Sequence, residues 1–160
     1  MKTSRVRKRR PKAKSAPAAA QPEKNKSAAP QRELPRFPKN LQASVEKVVE
    51  FQWTIAAYNP DLPAIFSTPA MIGLMEVAAA KAITPHLPAG TISVGTRIEV
   101  DHLKAVPQGT VVQAHARLIG YEGRFLAFEV EARAKDLVVG RGKVYRAIVT
   151  LKGPDGIVRK

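Results

Sequence analysis

From Ile92 onward the chain alternates. Ile92–His102, Thr110–Ile119, Arg124–Ala134 and Leu137–Leu151 carry apolar residues at about every second position, the period of a strand with one buried face. The breaks fall at Pro107-Gln108-Gly109, Gly120–Gly123 and Lys135-Asp136, residue types that suit turns. Upstream the period is lost. From Thr68 to about Ile83 nearly every residue is apolar, and Ser67-Thr68-Pro69 reads as a helix start: a hydroxyl cap, assigned to Thr68, then proline at the first helical position. Thr84-Pro85 and Pro88-Ala89-Gly90 end that helix. Val45–Tyr58 partly alternates and predicts a first strand, followed by a loop with Pro60 and Pro63.

The expected order is one strand, one long helix and four antiparallel strands, an α+β domain. A helix apolar nearly all round must be buried on most sides. A curved antiparallel sheet wrapped around it is the economical arrangement, with a second copy of the chain covering the remainder.

Charge changes the picture at one end only. Of the net +14, residues 1–42 carry +11 and residues 43–160 only +3. Residues 1–42 also hold Pro11, Pro17, Pro22, Pro30, Pro35 and Pro38 and few large apolar residues, so they are expected to be a disordered tail, with the folded domain over 43–160. Arg7-Lys8-Arg9-Arg10 could touch nucleic acid or another anionic partner, but no aromatic residues are interleaved for base stacking. The high pI thus belongs to the tail. With no cysteine, disulfides, thiol nucleophiles and thiolate metal sites are excluded. No apolar run is long enough to span a bilayer, and no apolar segment follows the basic start as in a secretory signal. The first 22 residues are basic and acid-free, as an organelle address would be, but lack an amphipathic stripe. A cytoplasmic location is expected.

Three polar residues stand out. Glu76 is the only charge between Asp61 and Lys81. It either faces solvent from a small-residue helix or is a partly buried carboxylate suited to general-base or nucleophilic work. In Ile92–His102 the positions Thr96, Ile98, Val100 and His102 share the core face, and Arg97, Glu99 and Asp101 the other. His102 is therefore the one inward histidine, either hydrogen-bonded in the core or catalytic. His115 lies in phase with outward Gln113 and Arg117, and His86 sits in a Pro-flanked turn. Thr68 at least caps the helix. Its free N–H groups and positive dipole end would also suit an oxyanion.

From about residue 45 to 151 the chain resembles the hot-dog-fold thioesterases of the fluoroacetyl-CoA thioesterase type. The resemblance lies in Phe66-Ser-Thr68-Pro-Ala-Met-Ile-Gly73-Leu-Met-Glu76, Gly95-Thr96, Asp101-His102 before Pro107 and Gly109, and Arg146-Ala147. It implies a hot-dog fold and hydrolysis of a short- or medium-chain acyl-CoA. The catalytic set it implies is Thr68, Glu76 and His102, with Gly95 lining the acyl pocket and Arg146 as a further substrate-binding residue. Leu62 stands where the fluoroacetyl-specific enzyme has an aromatic lid, which argues against that particular acyl group.

In the expected mechanism Glu76 attacks the thioester carbonyl or activates water, while His102 orients or protonates. No metal or separate cofactor is required; coenzyme A is part of the substrate. Arg141 and Lys143 are candidates to meet its phosphates. A hydratase is the first alternative, disfavoured because Asp101 and His102 point to opposite faces. A non-catalytic acyl-CoA-binding module, its tail on nucleic acid or another anion, is the second. It would have no need of a Glu–His pair.

Overall fold

The structure is a computed structural model that describes residues 36–151. The element order is β1 (Gln42–Val48), α1 (Thr68–Ile83), β2 (Thr91–His102), β3 (Val111–Glu122), β4 (Phe125–Ala134) and β5 (Leu137–Thr150). The five strands form one antiparallel sheet in the order β1-β3-β4-β5-β2, with α1 against its concave face. This is the expected hot-dog architecture. The expected tail falls mostly on residues outside those described. The core takes in Phe37 and Leu41, a few residues ahead of the expected boundary at 43.

The first strand is shorter than expected. It ends at Val48, and the stretch to Tyr58 turns through two short 3-10 helices, Phe51–Trp53 and Ile55–Ala57. The apolar residues that suggested a longer strand cap the core instead: Val49 and Ala56 are buried and Trp53 packs against the cluster. Short apolar runs carry no decisive period.

Alternation does specify β3 and β4. Val112, Ala114, Ala116 and Leu118 are buried on one, Leu126, Phe128, Val130 and Ala132 on the other. These faces meet Met71, Leu74, Met75, Ala78, Ala79, Ala82 and Ile83 of α1. Small residues in the sheet let the large ones of α1 sit close. Burying each Met, Leu or Ile stabilises the fold by about 1.5–3 kcal/mol.

The cap of α1 is Ser67, not Thr68. Ser67 Oγ accepts from Ala70 N at 3.4 Å, and Pro69 falls within the first turn. Two consecutive hydroxyls left the choice open to a shift of one residue. That shift frees the Thr68 side chain for another partner.

β2 is one edge of the sheet and, among the described residues, pairs with β5 alone. Its register is interrupted between Gly95 and Arg97, where Thr96 bulges out. Thr96 was expected on the core face and is exposed. The bulge changes the parity of the strand. Before it, the odd positions Ser93 and Gly95 face α1; after it, the even positions Ile98, Val100 and His102 do.

β5 comes close to β2 at Gly142. A Cβ there would lie against the Glu99 carbonyl oxygen and 2.7 Å from Val100 Cα, both backbone atoms with no room to yield. Gly142→Ala should cost about 3 kcal/mol, at the upper end for overpacking. Thermal denaturation should show Tm lower by roughly 10 °C.

Candidate active site

Glu76 is held by a buried cation. Its side chain retains 30% exposure, against 8% for Arg146. Arg146 Nη1 donates to Glu76 Oε1 and to the Glu76 carbonyl, both at 3.4 Å. Nε donates to Ser93 Oγ at 3.1 Å and Nη2 to the Ser93 carbonyl at 2.9 Å. Burial pushes the Arg146 guanidinium below its ordinary pKa, and the Glu76 charge works in the opposite direction. Gly95 is opposite the same carboxylate. A Cβ at Gly95 would collide with Glu76 Oε1, so the glycine makes the space that Glu76 occupies. The bulge at Thr96 allows this, since Gly95 and His102 would otherwise face opposite sides.

Arg146 was expected to bind substrate. Four of its five N–H groups donate within the chain, to Ser93 and Glu76, so the contacts seen are ones that position Glu76. Ser93 escaped the reading of the sequence. The available signal was parity: it stands two residues before Gly95 and shares its face.

The second group lies at the start of α1. Thr68 Oγ1 and His102 Nδ1 are 2.9 Å apart, and His102 Nε2 is 3.0 Å from the Lys104 carbonyl. A carbonyl only accepts, so Nε2 carries the proton of the neutral ring. Nδ1 then accepts from the Thr68 hydroxyl. His102 is partly buried at the end of β2, opposite Gly140 of β5.

The two groups are separate within one chain. Eight residues of helix divide Thr68 from Glu76, about 12 Å along the axis at the α-helical rise. The structure joins Thr68 to His102, and Glu76 to Arg146, Ser93 and Gly95. It does not bring Glu76 to His102.

Two other expectations change on contact with the register. Arg141 is paired across the sheet with Asp101 and Glu131, and Lys143 with Glu99 and Glu129. Cross-strand neighbours project from the same face, so each cation is flanked by two carboxylates and offers little to a phosphate. The same row puts Asp101 on the face opposite His102, as expected. Leu62 is exposed in the loop before α1. Among the described residues no cluster of three or more His, Cys, Asp or Glu is placed to hold a metal ion. No helix of the described residues is long and apolar enough to cross a membrane.

A sheet wrapped around one apolar helix, a carboxylate braced by a buried guanidinium, and a Thr–His pair at the helix start define the class: a hot-dog domain of the thioesterase kind. Residues 49–152 match the family model described as fluoroacetyl-CoA-specific thioesterase, and the chain belongs to that family. The fluoroacetyl-CoA thioesterase of Streptantibioticus cattleyicolor is 34% identical over 125 residues, which is 78% of this chain and 90% of that protein. A solved fluoroacetyl-CoA thioesterase superposes with a TM-score of 0.68 at 33% identity, covering 72% of this chain and 90% of that one. A variant of that enzyme in complex with fluoroacetate and CoA gives 0.65 at 33% identity, over 72% and 97% of the two chains. A Thermus thermophilus protein described as a thioesterase superfamily member gives 0.67 at 27% identity, over 72% and 85%.

The Glu76–Arg146 pair has a measurable consequence. Arg146→Met leaves a partly buried carboxylate without its partner and should cost about 2–3 kcal/mol, below the range for a fully buried pair because Glu76 keeps some water. Glu76→Gln in the same protein should recover roughly 1 kcal/mol of that loss. Urea denaturation of the four proteins in this double-mutant cycle measures both.

Proposed function

We propose that this protein is an acyl-CoA thioesterase that hydrolyses a short- or medium-chain acyl-CoA to the free acid and coenzyme A. The observation that carries this reading is the Glu76 carboxylate, held against Gly95 by a buried guanidinium at an opening in the sheet edge. The family supplies the reaction class, and the geometry supplies a group able to perform it. Glu76 serves either as nucleophile, expelling the CoA thiolate to give a mixed anhydride that water then cleaves to the free acid and Glu76, or as base that takes a proton from the water attacking the thioester carbonyl. Thr68 and the N-terminal N–H groups of α1 suit the carbonyl oxygen as it gains charge. The leaving thiolate takes a proton relayed through His102. No separate cofactor enters this scheme.

The 12 Å between Glu76 and the Thr68–His102 pair favours a homodimer in which each site takes Glu76 from one protomer and Thr68 with His102 from the other. Two features support it. Among the described residues β2 pairs on one side only, which suits its other side to meeting a second copy. The side of α1 turned away from the sheet includes an exposed apolar residue, Val77, 54% exposed beside Glu76.

Thiol release from an acyl-CoA series should detect turnover in the wild type and a loss of at least about 100-fold in Glu76→Gln, the scale of an essential acid–base group. Unchanged turnover in that variant would remove Glu76 from the mechanism. Mixing Glu76→Gln with His102→Ala protomers tests the shared site. Random pairing gives half mixed dimers, each with one intact site, so about a quarter of wild-type activity should return. If both groups serve within one chain, the mixture stays as inactive as its parents.

A further inference from the structure

Beside β1, at the far edge of the sheet from β2, α1 borders a cavity of about 170 Å³. Its wall is almost wholly apolar: Val49, Trp53, Phe66, Ala70, Leu74 and Val77, with Gly73 at one side. Lys47 Nζ lies 4.0 Å above the Trp53 ring at the rim. The indole Nε1 of Trp53 is the one buried side-chain polar atom left without a partner among the described residues. Trp53 is also the only tryptophan of the chain.

Gly73 lines this cavity one helical turn from Glu76. It stands inside α1, where glycine is less favourable than alanine. A Cβ added there meets nothing within 4 Å, so no packing within the chain excludes a side chain. None of the described residues therefore requires the bare backbone at this position. Glu76 is three residues further on and Val77 four, so both are surface neighbours of Gly73 on the helix. With no side chain at Gly73, the helix surface between Glu76 and the cavity lining carries no bulk at that position.

We propose that this cavity holds the acyl chain of the substrate: an apolar group of about six carbons or a single aromatic ring, lying across Gly73 with its carbonyl at Glu76. The inference rests on the thioesterase reading and narrows its substrate. An apolar cavity of about 150 Å³ is known to take up benzene and to stay dry when empty, and this one is slightly larger. A two-carbon acyl group would leave it unfilled. The Lys47 ammonium bounds the apolar volume, so chains much longer must emerge past a charge.

The experiment separates binding from turnover. S-hexyl-CoA and S-methyl-CoA are thioethers with no carbonyl to attack, and Trp53 emission reports on the cavity wall. S-hexyl-CoA should shift that emission saturably, and S-methyl-CoA should not at equal concentration. In turnover, kcat/KM should rise about fourfold per methylene from acetyl- to hexanoyl-CoA, corresponding to about 0.8 kcal/mol each, and fall again at decanoyl-CoA. Gly73→Val should flatten this rise and weaken S-hexyl-CoA binding at least about tenfold. Gly73→Ala, which favours the helix, should do so to a lesser degree and serves where valine impairs folding. Equal responses to the two thioethers, or a chain-length series that is flat in the wild type or unaltered by both variants, overturns the proposal. A change in the mass of the assembly with an unaltered series also overturns it, by assigning the notch to a second copy. If no acyl-CoA is hydrolysed yet Trp53 answers S-hexyl-CoA alone, the thioesterase reading fails and the pocket stands.

Discussion

The arrangement of the site depends on one ion pair. α1 is a helix that a sheet can wrap because it is apolar on nearly every side, and a carboxylate in such a helix is costly unless something meets it. Arg146 meets it from β5, and Ser93 of β2 accepts two further hydrogen bonds from the guanidinium. Three elements distant in sequence are thereby tied at one point. The pair has little value as a stabilising contact, since burying Arg146 offsets much of the attraction. Its effect is directional: Glu76 is held on the β2 side of the helix, against Gly95.

The bulge at Thr96 is the second constraint, and it exists because one strand has two clients. Ser93 and Gly95 must face α1 to build the Glu76 pocket, and His102 must face it to reach Thr68. Their positions are of opposite parity, which an unbroken strand cannot reconcile. One extra residue restores agreement. The bulge lies on an edge strand, where it disturbs a single ladder and leaves the other strands in register.

This explains which parts were legible in the sequence. The four downstream strands and the helix could be read because β3, β4 and α1 bury one face or nearly all of their surface, so their periodicity is clean. His102 could be placed inward because it lies after the bulge, in phase with Val100. Thr96 was misplaced for the same reason, by carrying that phase back across an irregularity that leaves no mark in a pattern of residue types. The boundary of β1 and the cap at Ser67 failed on local degeneracy: apolar residues serve a strand or a lid equally, and two adjacent hydroxyls compete for one cap. The role of Arg146 was hidden because a buried guanidinium can hold a substrate or a neighbouring carboxylate.

The separation of Glu76 from Thr68 bears on the character of the whole domain. Residues that act together are usually packed together, yet here they sit two turns apart on one rigid helix, each with its own supporting partners. Neither pair can move to the other without unwinding α1 or breaking β2 from β5. The same chain leaves unsatisfied features facing outward: an edge strand paired on one side, Val77 exposed, Gly73 bare where a side chain would fit, and an apolar cavity beside it. Each costs something in isolation. They lie along the exposed side of α1 and the edges beside it. The helix that buries the core on one side thus carries Glu76, the bare Gly73 and part of the apolar cavity wall on the other.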